Sequence, residues 1–124
     1  MSVRHQVRSY VERLFEKLKE PAGEYTIYNI YSPVYVQREN LPVNQIDIEE
    51  FEIVDIKVDF TNQESIKNFL DKTTRETLER EVKGFYLLAL LLDKDGEYIL
   101  SSENPMAEEL REGLVRLIES LKEE

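Results

Sequence analysis

Eight consecutive apolar residues, FYLLALLL from Phe85 to Leu92, limit the folds open to this chain more than any other feature. Alternate residues of a β-strand point to opposite faces, so a run that is apolar on both parities indicates a strand buried on both sides. Leaving one face in water would cost about 1.5 to 3 kcal/mol for each large apolar side chain. Either helices cover both faces of the sheet, or a second subunit covers one. Three helices are barely enough for the first solution, and we therefore predict a homodimer.

Two other interpretations of this stretch fail on length and spacing. A transmembrane helix needs about 20 apolar residues, and Asp93 ends the run after eight. A calcium-binding loop of the EF-hand kind needs a glycine at its sixth position and a bidentate glutamate at its twelfth. In a loop that begins at Asp93, the glycine Gly96 is at the fourth position and the twelfth residue is Asn104. Aspartate and glycine tolerate left-handed backbone angles, so we expect a β-hairpin that turns at DKDG.

The remaining patterns predict one α+β domain over residues 1–124, with the element order α-β-β-α-β-β-α. We expect a four-stranded, mostly antiparallel sheet packed by three helices, with the apolar run central and the second strand toward an edge. The predicted helices span residues 3–19, 61–83 and 104–121, and the strands lie within EYTIYNIYSPVYVQ, Ile46–Phe60 and the hairpin Gly84–Ser102.

Two irregularities are predicted within these elements. The apolar parity of Ile46–Phe60 slips twice, which predicts a bulge or break near Glu49–Glu50 and another near Ile53–Val54. In the second helix, a second capping box formed by Thr73 and Glu76 predicts a kink or restart near Thr73.

The predicted strand Ile46–Phe60 carries the densest run of charged residues in the chain. Lys57 is the single basic residue among its carboxylates. Such a run is typical of a solvated edge strand, where charge prevents edge-to-edge pairing. It is also suited to a basic protein partner, or to imitating a nucleic-acid backbone. The predicted partner-binding residues are Asp47, Glu49, Glu50, Glu52 and Asp55.

A second group of candidate residues is rich in tyrosine. Tyrosine side chains are large, rigid and polar at the tip, as pocket and interface residues often are, and they are also good strand formers. Two threonines on the inward stripe of the second helix present hydroxyls to the same region, unless they bond back to the preceding turn. The predicted pocket or interface residues are Tyr25, Tyr28, Tyr31, Tyr35, Thr73 and Thr77.

Charge and composition exclude several function classes. There are 16 basic and 26 acidic residues, and the net charge of -10 repels phosphate backbones and anionic membranes, so we expect neither direct nucleic-acid binding nor a membrane partner. Residues 1–19 are net basic, and we expect this helix to dock on the acidic body of its own chain. The chain has no cysteine, and 34% of its residues are charged, a balance typical of a thermophile. Without the apolar core of a signal peptide, the predicted location is cytoplasmic.

No catalytic motif stands out. The single histidine, His5, lies off the apolar face of its helix, and the chain contains no Ser-His-Asp pattern, glycine-rich phosphate loop or HExxH. We predict no catalytic, cofactor-binding or metal-binding residues. The predicted function is a small acidic, non-enzymatic interaction or regulatory module, in its sharper form an inhibitor that blocks a basic nucleic-acid-binding partner. The alternative is a small-molecule-binding domain or enzyme with a tyrosine-lined pocket between the second helix and the first strand.

Overall fold

The computed structural model describes residues 2–39 and 41–123. The elements are α1 Val3–Lys17, β1 Glu24–Pro33, α2 Val34–Arg38, β2 Glu52–Asp59, α3 Gln63–Val82, β3 Phe85–Lys94, β4 Glu97–Ser101 and α4 Pro105–Lys122. The four strands form one antiparallel sheet in the order β2-β1-β3-β4. Two 3-10 turns, Val43–Gln45 and Ile48–Glu50, precede β2. The predicted α+β fold and element order are confirmed, with α2 as an additional short helix.

Helices of the same chain cover both faces of the sheet. On one face, here the α1–α3 face, Leu90 and Leu92 of β3 pack with Leu14 and Phe69. On the other, the α4 face, Leu91 packs in a cluster with α4 and with the segment that joins β1 to β2. Leu90, Leu91 and Leu92 have no exposed surface. Of the two expected solutions, helices on both faces or a second subunit on one, the structure therefore has the first. The homodimer stays a prediction, but an uncovered sheet face is no longer a reason to expect it.

The segment before β2 lies close against α4. A Cβ atom added to Gly113 in the middle of α4 would collide with the side-chain end of Ile48. Glycine at this position leaves room for the end of the Ile48 side chain against the helix.

One of the two irregularities predicted in the acidic strand is confirmed and the other is wrong. The strand does break near Glu49–Glu50, because β2 begins at Glu52. No bulge occurs at Ile53–Val54, where β2 pairs with β1 in continuous register. The parity slips there because both faces are covered: Ile53 packs on the α4 face and Ile56 on the α1–α3 face. The register shift in this sheet lies elsewhere, between Ile30 and Tyr31, where β1 meets β3.

The predicted restart of the second helix at Thr73 is also wrong, because α3 continues unbroken past this residue. The Thr73 hydroxyl does not cap a new helix; it accepts a hydrogen bond of 3.1 Å from the side-chain amide of Asn29. The actual N-cap of α3 is Asn62, whose side-chain oxygen accepts from the backbone N–H groups of Glu64 and Ser65.

The hairpin and the basic helix match their predictions. Asp95 and Gly96 have φ angles of 51° and 89°, as a tight two-residue turn between β3 and β4 requires. Arg4 of α1 pairs with Asp71 of α3 at 2.8 Å, and Arg13 lies 3.7 Å from Glu103, so α1 docks on acidic residues of its own chain. Among the described helices, none combines the length and apolar character needed to cross a bilayer.

Candidate functional site

Three of the predicted carboxylates lie on the turn that precedes β2 and are exposed: Asp47, Glu49 and Glu50. The Asp47 carboxylate caps the turn by accepting from the backbone N–H of Glu49 at 3.0 Å. Glu50 accepts from the hydroxyl of Tyr35 at 2.9 Å. None of the three forms an ion pair with a lysine or arginine in the described part of the chain.

The other two predicted carboxylates point to opposite faces of β2. Asp55 lies on the α4 face, across from Tyr28 of β1, and is exposed without an ion pair among the described residues. Glu52 lies on the α1–α3 face, where its carboxylate is 3.2 Å from Nε of Arg80. The structure therefore places four of the five residues on the α4 side of the molecule and the fifth on the other side. We call the four the acidic edge: Asp47, Glu49, Glu50 and Asp55.

The four predicted tyrosines do not line one pocket. Tyr25 and Tyr31 pack on the α1–α3 face, whereas Tyr28 packs on the α4 face. Tyr35 does not belong to β1, because the strand ends at Pro33 and this residue lies on α2. Tyr28 and Tyr31 therefore cannot border a common cavity, and the pocket in the alternative hypothesis is not formed in the shape we predicted.

Tyr31 and the two predicted threonines belong instead to a buried polar cluster between β1 and α3. Its members are Asn29, Tyr31, Thr73 and Thr77, all without exposed surface. The Tyr31 hydroxyl lies 2.9 Å from Oγ1 of Thr77, which in turn donates to the carbonyl of Thr73 at 2.7 Å. Because that donation uses the only proton of the Thr77 hydroxyl, Tyr31 donates and Thr77 accepts.

The hydroxyls of this cluster form hydrogen bonds within the chain. Thr77 bonds back to the preceding turn, as threonines within helices often do, and Arg80 stacks over the Tyr31 ring at 5.1 Å. Burial raises the pKa of the Tyr31 phenol, and the hydrogen bond to Thr77 lowers it in part. The arrangement links α3 to the sheet and uses all three hydroxyls for hydrogen bonds within the chain.

A second polar cluster, on the α4 face, was not predicted from the sequence. The ammonium group of Lys122 donates to the Asp93 carboxylate and, at 2.8 Å, to the Tyr98 hydroxyl. It also lies 5.1 Å from the ring centre of Tyr98 and 5.9 Å from that of Tyr28. Hydrogen bonds to Asp93 and Tyr98 raise the pKa of Lys122 well above its ordinary value, so the ammonium stays charged. We call the three residues around it, Tyr28, Asp93 and Tyr98, the ammonium cage.

The ammonium cage adjoins the acidic edge. A cleft of about 210 Å³ beside Lys122 is lined by Tyr28, Ile53, Asp55 and Leu121. Asp55 and Tyr28 are direct cross-strand neighbours, and Asp93 and Tyr98 form the same kind of pair between β3 and β4. Carboxylates and aromatic rings of all four strands therefore meet on one side of the sheet.

Known proteins offer few points of comparison. No protein-family model and no solved structure matches the chain. An uncharacterized protein of Aquifex aeolicus is 35% identical over 129 aligned positions, a match that spans 100% of this chain and 99% of the relative. Within residues 2–39 and 41–123, no three or more His, Cys, Asp or Glu side chains are grouped so as to hold a metal ion.

Proposed function

Because this chain belongs to the same protein family as the uncharacterized Aquifex aeolicus protein, we propose a single function for the whole domain. In this proposal, the domain is a small, non-enzymatic interaction module that binds a basic protein through its acidic edge. In the sharper form of this proposal, the partner is a nucleic-acid-binding protein, and binding blocks the surface that the nucleic acid would occupy.

One observation carries the proposal: the carboxylates of the acidic edge are exposed and have no cationic partner among the described residues. Some other carboxylates are used within the chain: Asp71 and Glu103 pair with arginines of α1, and Glu52 pairs with Arg80. Excess negative potential on one side favours fast association with a positive surface and disfavours nucleic acid itself.

Three further predictions accompany this function. The cytoplasmic location and the thermophilic source rest on composition, and both stay predictions. The homodimer also stays a prediction; a two-fold assembly would have to use a surface other than the covered sheet faces.

Reversing two charges of the acidic edge tests the proposal. Binding of an oligolysine peptide, measured by isothermal titration calorimetry at low salt, should weaken by about tenfold or more in Glu49→Lys/Glu50→Lys, because repulsion replaces attraction at the contact. The matched control is Glu12→Lys/Glu16→Lys, which changes the net charge equally at exposed positions of α1. Equal weakening in both variants, or no binding by the natural protein, would contradict the proposal.

A further inference from the structure

The cage residues occupy fixed positions on three adjacent strands. Tyr28 lies on β1, Asp93 on β3 and Tyr98 on β4, and both tyrosines are at least nine-tenths buried. The second carboxylate oxygen of Asp93 accepts from the backbone N–H of Gly96 at 2.9 Å, so the hairpin turn holds this side chain in place. A receptor built in this way is pre-organised and loses little freedom when a cation binds.

The occupant of the cage is held less firmly. Lys122 is the last residue of α4, and helix ends fray more readily than strands in a sheet interior. Its side chain is 35% exposed, against 15% for the Asp93 carboxylate that it pairs with. The neighbouring Leu121 is also 45% exposed. Lys122 can therefore leave the cage by unwinding one helical turn, while the cage itself stays in place.

The cage and its surroundings together hold more carboxylates than Lys122 alone neutralises. Besides Asp93, the surroundings include Glu119, which accepts from the Tyr98 hydroxyl at 2.7 Å, and Asp55 in the adjoining cleft. A carboxylate that is mostly buried, as Asp93 is, is stabilised by a counter-ion, so the cage favours a cation in place of Lys122 when Lys122 leaves. Two aromatic rings and a carboxylate suit an ammonium group, which interacts with ring faces and donates in three directions.

We propose that the ammonium cage is the subsite for a lysine of the basic partner, and that Lys122 is an intramolecular occupant which the partner's lysine displaces. This inference rests on the proposed function, because the cage continues the acidic edge through Asp55. When Lys122 occupies the cage, the partner binds only the molecules whose cage is open. The apparent affinity is therefore the affinity of the open state multiplied by the fraction of open molecules. Any event that frees the end of α4 would raise that affinity.

Removing the occupant tests this proposal. Lys122→Ala should bind an oligolysine peptide about tenfold more tightly than the natural protein, as expected when the open state rises from a minor to the major population. The matched control, Lys83→Ala, removes the same charge from an exposed site at the opposite end of β3 and should change affinity by less than about twofold. Adding Asp93→Asn to Lys122→Ala keeps the side-chain acceptor for Gly96 and should abolish the gain.

The outcomes separate this inference from the function on which it rests. If the natural protein binds the peptide and Glu49→Lys/Glu50→Lys weakens that binding, but Lys122→Ala gives no gain, the cage proposal alone is wrong. An equal gain in Lys83→Ala would overturn it as well, since net charge would then explain the effect. If neither the natural protein nor Lys122→Ala binds, both proposals fail together.

Discussion

Replacing Leu90 with alanine should lower the free energy of unfolding by about 2 to 5 kcal/mol, the usual loss for a leucine removed from a closed core. Leu90 lies in the middle of β3 on the α1–α3 face and has no exposed surface. Leu91→Ala should cost a similar amount on the opposite face, because α4 covers that face within the same chain. Urea unfolding followed by circular dichroism measures both changes.

The matched control for these two variants is Leu78→Ala on α3. Leu78 is 49% exposed, so its loss should change the free energy of unfolding by about 0.5 kcal/mol or less. The two core variants should behave alike at all protein concentrations. A small cost for Leu91→Ala beside a large one for Leu90→Ala would mean that α4 does not cover its face. A cost that depended on protein concentration would instead point to a second subunit.

The second large effect is expected in the buried polar cluster. Thr77→Val keeps the shape of the side chain but removes the acceptor for the Tyr31 hydroxyl, which then lies buried without a partner. The expected cost is about 1 to 3 kcal/mol in the free energy of unfolding. Adding Tyr31→Phe removes the stranded hydroxyl, so the double variant should be more stable than Thr77→Val alone.

Thr74→Val is the matched control for this cycle. Thr74 lies on the same helix and is half-buried. Among the described residues, its hydroxyl bonds only to the carbonyl of Leu70 in its own helix. Its replacement should cost clearly less than that of Thr77. If the two valine variants were equally stable, or if Tyr31→Phe made Thr77→Val worse, the hydrogen bond between Tyr31 and Thr77 would not be stabilising the attachment of α3.

Local rules were enough to predict the centre of the fold. Phe85–Leu92 has apolar side chains on both faces, so both sides of this strand must be covered. The DKDG turn joins it to the next strand. Local rules did not identify what covers each face, because that depends on where α4 and the segment before β2 pack. For this reason the sequence pattern at Ile53 predicts a bulge, whereas the structure has a continuous strand that is buried on both sides.

The candidate site was predictable only in part, for a similar reason. Glu52 and Asp55 are three residues apart, so an unbroken strand must place them on opposite faces. The bulge predicted near Ile53–Val54 would instead allow them to share a face. Tyr28 and Tyr31 have the same odd spacing. These local rules could not predict the ammonium cage. Its residues lie on β1, β3 and β4 and its occupant Lys122 lies on α4, and only the packing of these elements brings them together.

The most direct test of the central claim, that the acidic edge and the ammonium cage form one binding site for a basic partner, is a nuclear magnetic resonance titration. Isotope-labelled protein is titrated with an oligolysine peptide, and the shifted backbone amides are mapped onto the structure. We expect the shifts to concentrate in residues 47–50, 53–55, 93–98 and 119–122. Shifts centred on the exposed Glu12 and Glu16 of α1, or spread evenly over the acidic surface, would contradict the claim.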